Sequence, residues 1–117
     1  MKAIIEVALR NSIFSAAARQ LEQSRRGLEA DFHLSFESAR LLFSELTPAR
    51  LELLNVLRGT GASTVYALVK AAERNYSNVH SDLARLVELG LIERDSDDKV
   101  FVPFDAVEIR LALAQAA

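Results

Sequence analysis

The chain contains no cysteine, and that excludes disulfides and thiolate metal sites. It also lacks tryptophan and has only 7% aromatic residues, so an aliphatic and mainly helical core is expected. A basic excess is missing as well. With 14 Lys+Arg against 16 Asp+Glu, phosphate binding would have to come from a local arrangement of charge rather than from the net value. No apolar run approaches a membrane span. The apolar N-terminus is interrupted at Glu6 and Arg10, short of the roughly 7 to 15 continuous apolar residues of a secretion signal. A cytoplasmic location without membrane contact is the expectation. Internal repeats, low-complexity segments and long linkers are absent too.

What is present is a chain of 117 residues, half of them hydrophobic. That is too apolar for a disordered tail and is the size of one core with an appendage. From Lys2 the residues Ala3, Ile5, Val7 and Leu9 alternate with Lys2, Glu6, Ala8 and Arg10, which predicts a half-buried strand with Ile4 as the exception. Asn11-Ser12 can cap a helix from Ile13 towards Leu28, with Phe14, Ala17, Ala18, Leu21 and Leu28 on one face. Phe32, Leu34 and Phe36 then predict a second short strand, joined to the first through that helix. A parallel pairing by a right-handed crossover would suit this order.

From Glu37 the period changes. Ala39, Leu42, Phe43 and Leu46 predict a short amphipathic helix that stops at Thr47-Pro48. Thr47 is a good N-cap and Pro48 suits the first helical position, with Leu51, Leu54 and Leu57 as the buried stripe and Gly59-Thr60-Gly61 as the stop. Ser63 is expected to cap a third helix through Glu73, with Val65, Leu68, Val69 and Ala72 inward. Arg74-Asn75-Tyr76 makes the turn, Ser77 caps a fourth helix, and Gly90 ends it. Leu91-Ile92-Glu93-Arg94 and Val100-Phe101-Val102-Pro103 flank the polar loop Asp95-Ser96-Asp97-Asp98-Lys99, the pattern of a hairpin. Val107, Ile109, Leu111 and Leu113 alternate with Glu108, Arg110 and Ala112, favouring a final strand over a helix.

These elements predict an α+β, mainly α fold built on a winged helix-turn-helix core. Residues 1–36 would form an N-terminal strand-helix-strand arm for dimerisation or partner binding, residues 37–105 the winged helix-turn-helix domain, and residues 106–117 a C-terminal strand and tail. The terminal strands at Lys2 to Leu9, Phe32 to Phe36 and Val107 to Leu113 can form one sheet within the chain or pair with a second copy.

The fourth helix carries the sharpest functional reading. If Val79, Leu83, Leu86 and Val87 face the core, then Ser77, Asn78, Ser81, Ala84, Arg85 and Glu88 face outward, with His80 and Asp82 on the flanks. Asparagine can read an adenine edge, arginine a guanine edge or a phosphate, and serine adapts to either, so Asn78, Ser81 and Arg85 are the candidates for base contact. His80 and Tyr76 suit backbone phosphates. Between Thr47 and Phe104 the bases Arg50, Arg58, Lys70, Arg74, Arg85, Arg94 and Lys99 face the acids Glu52, Glu73, Asp82, Glu88, Glu93, Asp95, Asp97 and Asp98. Seven against eight is no basic domain. Arg74, Arg85, Arg94 and Lys99 could still line one side while the acids of the hairpin tip point away. The full DNA-binding set is then Arg74, Asn75, Tyr76, Ser77, Asn78, His80, Ser81, Arg85, Arg94 and Lys99. Few phosphate contacts imply modest affinity and a shallow salt slope; a dimer would double the contacts, with helices spaced about one DNA turn, roughly 34 Å, apart. The competing reading is that these are solvated residues on a helix that binds protein.

Catalysis finds little support, because His33 and His80 are far apart and the Ser and Asp residues mostly have capping or turn roles. Gly59-Thr60-Gly61 lacks the lysine and strand context of a phosphate loop. No enzyme, cofactor or metal is expected.

Thr47-Pro48-Ala49-Arg50-Leu51-Glu52-Leu53-Leu54, Asn75-Tyr76-Ser77-Asn78-Val79-His80-Ser81-Asp82-Leu83, Leu86-Val87-Glu88-Leu89-Gly90-Leu91-Ile92-Glu93 and Val102-Pro103-Phe104-Asp105 resemble a group of prokaryotic winged-helix proteins. They are similar to MarR-like and ArsR-like predicted transcriptional regulators, some encoded beside toxin genes and similar to antitoxins. The likeness spans about Phe36 to Leu111. Ser81 departs from it, standing where such a helix often carries a basic residue. The resemblance implies sequence-specific binding of double-stranded DNA, usually as a homodimer, and for the antitoxin branch binding to a toxin protein. The function expected is therefore a dimeric DNA-binding repressor with the Ser77 to Gly90 helix in the major groove. The alternative is a winged-helix interaction module that neutralises a toxin with little DNA binding of its own.

Overall fold

The computed structural model describes residues 1–7 and 30–113. The predicted helix from Ile13 towards Leu28 lies outside them, as do Leu9, Arg10 and the last four residues. The described elements run β1 (Lys2–Val7), β2 (Phe32–Phe36), α1 (Ala39–Glu45), α2 (Pro48–Thr60), α3 (Val65–Ala72), α4 (Tyr76–Glu88), β3 (Glu93–Arg94), β4 (Val100–Phe101) and β5 (Ala106–Leu111). They divide into two units, one drawn from Met1–Glu45 with Ala106–Ala117 and one from Leu46–Asp105.

The expected class, α+β and mainly α, is overturned. The chain is a small α/β protein with four described helices, a parallel three-stranded sheet ordered β2-β1-β5 and a two-stranded antiparallel sheet of β3 and β4. What sequence periodicity could not supply is the partner of the last strand. β5 pairs with β1 in parallel, Ala3 beside Val107 and Ile5 beside Ile109, while β2 takes the other side of β1 with Ala3 beside Phe32. Parallel neighbours need long crossovers, and α1 to α4 with the hairpin all lie between β2 and β5. The terminal strands therefore pair within one chain.

The first strand's broken alternation has a physical reason in this topology. As the central strand, β1 is covered on both faces: Ala3 and Ile5 on one and Ile4 on the other are between 0% and 2% exposed. A parallel central strand reads as a continuous apolar run for the same reason. α1 packs against β1 and β2, with Leu42 fully buried. Phe43, expected inward, is instead 53% exposed, and Leu42 and Leu46 are the residues of this segment that are buried.

The second unit packs α2, α3 and α4 together around an aliphatic core. Leu53, Leu57, Leu68, Val79, Leu83, Leu86, Leu91, Ile92 and Val100 are each at most 1% exposed. At about 1.5 to 3 kcal/mol per buried side chain, these dominate its stability. Arg58 on α2 reaches the carbonyl of Val102 at 3.1 Å, tying the first helix of the unit to the chain after β4.

Candidate nucleic-acid interface

The site is positioned by its caps. Thr47 accepts from the Arg50 N–H at 3.3 Å with Pro48 in the first turn, as the sequence predicts. α3 starts one residue later than expected: Thr64, not Ser63, is its N-cap and accepts from the Ala67 N–H at 3.1 Å. Ser63 is occupied elsewhere, since its backbone exchanges two hydrogen bonds with Val100 at 3.0 and 2.8 Å, stitching the start of α3 to the hairpin. α3 ends at Glu73, which takes the left-handed conformation at φ 53°. Arg74 follows, and Asn75 then caps α4 by accepting from the Asn78 N–H at 3.3 Å. Ser77, the expected cap, instead lies inside the first turn of α4. The far end of α4 closes with Gly90 at φ 84°, the Leu91 N–H on the Leu86 carbonyl and the Gly90 N–H on the Val87 carbonyl, both at 3.0 Å. These two bonds make a Schellman close, sealed by the buried pair Leu86 and Leu91.

Between these ends α4 buries Val79, Leu83 and Leu86 completely and leaves Ser77, Asn78, Ser81 and Ala84 exposed. Small polar side chains on a well-anchored helix leave room for a close surface. Tyr76 and His80, both exposed, stack one turn apart with ring centroids at 5.9 Å and an interplanar angle of 23°. Arg85 holds Glu88 at 2.9 Å, an exposed pair of the kind worth no more than about 1 kcal/mol and easily exchanged. Arg94 lies on β3, paired with Asp98 at 3.3 Å, and Lys99 stands in the loop before β4. Asp95 shapes that loop, accepting from the N–H groups of Asp97 at 2.9 Å and Lys99 at 3.0 Å.

The acid on the flank of α4 proves to be structural. Asp82 takes Arg50 Nε at 3.0 Å on one carboxylate oxygen and an Arg74 guanidinium nitrogen at 2.7 Å on the other. One side chain thus joins α2, the turn and α4. Burial pushes the Asp82 carboxyl up, but hydrogen bonds from Arg74 and Arg50, and then their charges, outweigh it and hold the group below its usual value. Arg74 also approaches the Ala49 carbonyl at 3.5 Å. Sequence reasoning counted Arg50 and Asp82 only as charges and missed the tie, because Arg50 lies 32 residues from Asp82. It also passed over Tyr66 on α3, 64% exposed with Lys70 Nζ 4.8 Å from its ring centroid. The spacing of Tyr66 and Lys70 by one helical turn was the available signal.

Thus Asn75, Tyr76, Ser77, Asn78, His80, Ser81 and Arg85 share one helix and its cap, Arg74 stands at its root, and Arg94 and Lys99 sit on the hairpin. Among the described residues no group of three or more His, Cys, Asp or Glu is placed to hold a metal ion. No helix of the described residues is long and apolar enough to cross a membrane.

Residues 45–109 match the family described as HVO_A0114, a span of just over half the chain that takes in α2 to α4, the hairpin and the start of β5. No curated protein and no solved structure matches the chain.

Proposed function

We propose that this chain, which belongs to the HVO_A0114 family, is a DNA-binding regulator that presents α4 to the major groove. The observation that carries the reading is the exposed small polar face of Ser77, Asn78 and Ser81 on a helix capped at both ends. An α-helix of this kind fits the roughly 12 Å width of the major groove, and its asparagine is the residue type that recognises adenine by two hydrogen bonds. The electrostatic side is supported by pairing: Asp82 is neutralised by two arginines, and Glu88 and Asp98 each hold one base that a phosphate can take over at little cost. Arg74, Arg85, Arg94 and Lys99 are the phosphate contacts in this reading, with Tyr76 and His80 at the helix start and Tyr66 and Lys70 on α3 as additions. So few contacts require two copies for useful affinity, as in a dimeric repressor on a two-fold operator.

The test is fluorescence polarisation against duplexes enriched from a random pool. Binding should weaken with salt by about 0.9 in log affinity per log salt for each phosphate neutralised. Asn78→Ala should relax one base position by about 1 to 3 kcal/mol. Salt-independent binding, or affinity unchanged in the Asn78→Ala, Arg85→Ala double variant, would sink the reading.

A second reading keeps a protein partner, with a toxin as the candidate of an antitoxin. Leu41 at 49% and Phe43 at 53% exposure on α1 favour it. Co-purification with the product of the adjacent gene tests it, and recovery of no partner counts against it.

A further inference from the structure

The open edge of the parallel sheet carries a surface with a definite occupant. Within the described residues β5 hydrogen-bonds only to β1, so the outer row of its N–H and C=O groups faces away from the sheet. Its later side chains are exposed as well, with Ile109 at 38%, Leu111 at 50% and, just beyond the strand, Leu113 at 82%, while Val107 and Glu108 are half-buried. The opposite edge differs, because every residue of β2 is half-buried. An exposed strand of alternating apolar residues is a template for another strand.

We propose that β5 pairs antiparallel with β5 of a second copy, with the two-fold axis passing through Ile109. In that register Ile109 faces its own copy, Val107 faces Leu111, Ala106 faces Ala112, and Glu108 faces Arg110 on both sides of the axis. The charge complementarity is what selects the occupant. A neighbouring copy supplies two opposite-charge cross-strand pairs at once, whereas a shift of the register by two residues in either direction sets Glu108 against Glu108 or Arg110 against Arg110. Both residues lie on the same face of the sheet as Lys2, whose Nζ already holds Glu108 at 2.9 Å, and Arg110 holds Glu108 at 3.1 Å within the strand. Within one copy, Glu108 already pairs with Lys2 and Arg110, and the partner's Arg110 and Glu108 would extend these pairs across the axis. Pairing converts two three-stranded sheets into one continuous sheet and closes the outer edge of β5 in both copies. The inference gives the dimer of the functional reading its interface, and the pairing itself does not depend on DNA binding.

The absence of native cysteine makes the register directly measurable, since one introduced thiol is the only thiol present. Directly opposite residues of an antiparallel pair have Cα atoms about 4.5 to 5.5 Å apart, within disulfide reach. Ile109→Cys should therefore cross-link to its own copy on mild oxidation. Leu111→Cys should not, because in this register it lies four residues, about 14 Å, from its counterpart. By sedimentation equilibrium the natural sequence should be a dimer, and Arg110→Glu, a change at an exposed position, should raise the dissociation constant at least tenfold. A monomer at high micromolar concentration overturns the proposal and leaves the edge to a different partner. A dimer that cross-links through Leu111→Cys as well as through Ile109→Cys overturns the register, and so does a dimer indifferent to Arg110→Glu. Polarisation with duplex DNA keeps the two ideas apart: a dimer blind to DNA defeats the functional reading alone, and DNA binding by a monomer defeats this one alone.

Discussion

The two units are stabilised by opposite strategies. In the helical unit, Leu46–Asp105, the caps and closes join residues near in sequence, an N-cap side chain accepting from the N–H three residues on and the Schellman bonds lying within five, and only a few ties such as Arg50 to Asp82, Arg58 to Val102 and Ser63 to Val100 are long. The sheet unit is held by pairings between the two ends of the chain, Lys2 beside Ala106 and Val7 beside Leu111. Polar groups separate them too. Asp82, a half-buried charge of the helical unit, is satisfied on both oxygens. In the sheet unit Glu6 Oε1 and His33 Nδ1 lie 3.5 Å apart, and neither makes a hydrogen bond. Local structure is closed and satisfied; the long-range sheet leaves an edge and a polar pair incomplete. A unit with incomplete polar and edge groups is the natural place for association, and the closed one is the natural rigid mount for a recognition surface.

That contrast can be tested by comparing equivalent changes in the two units. Leu83→Ala opens a cavity at a fully buried position of α4 and should lower unfolding free energy by about 2 to 5 kcal/mol, while Leu111→Ala on the exposed edge should stay within about 0.5 kcal/mol for the monomer. Urea melts of both variants decide it, and equal losses would erase the distinction. Asp82→Ala comes next, with an expected loss of about 2 kcal/mol, since it strands two arginines that share one carboxylate. The same tie should be visible in acid. Because the folded-state value of Asp82 lies below its unfolded one, the unfolded chain binds the proton more readily, so the contribution is complete above about pH 4 and is lost as pH falls through the depressed value. In Asp82→Asn the acid limb of the stability profile should flatten; an unchanged limb counts against the tie. A smaller loss than that of Asp82→Ala is expected for Gly90→Ala, which forces a side chain into a left-handed cap at about 1 kcal/mol, readable as a shift of the thermal midpoint.

The same division explains what the sequence made legible. Thr47-Pro48 announces α2, and Gly90 announces the end of α4, because their signals lie within the turn they form. Ser63-Thr64 is ambiguous locally, as either hydroxyl can cap a helix, and only the pairing of Ser63 with Val100 across the unit decides for Thr64. In the sequence Asp82 is only one acid among eight between Thr47 and Phe104, and its ties to Arg50 and Arg74 exist only in the fold. Ile4 is an apolar residue on the polar face of an alternating strand, and such a break in alternation marks cover on both sides. The class itself depended on β5 finding β1, and alternation in a strand says which face is buried without naming its neighbour. For the candidate site, the outward face of α4 followed from period alone, whereas the ties that hold it and the aromatic on α3 needed three dimensions.

The position of β1 at the centre of the sheet also sets an order in time. β1 ends at Val7, yet its second neighbour, β5, begins only at Ala106 and is made that much later. At synthesis rates of about 5 to 20 residues per second, β1 should wait on the order of 5 to 20 s for that neighbour, while everything from Leu46 to Asp105 can be made and folded in the interval. A sticky strand is thus left half-paired in the nascent chain, where ribosome-associated chaperones would be expected to meet it first.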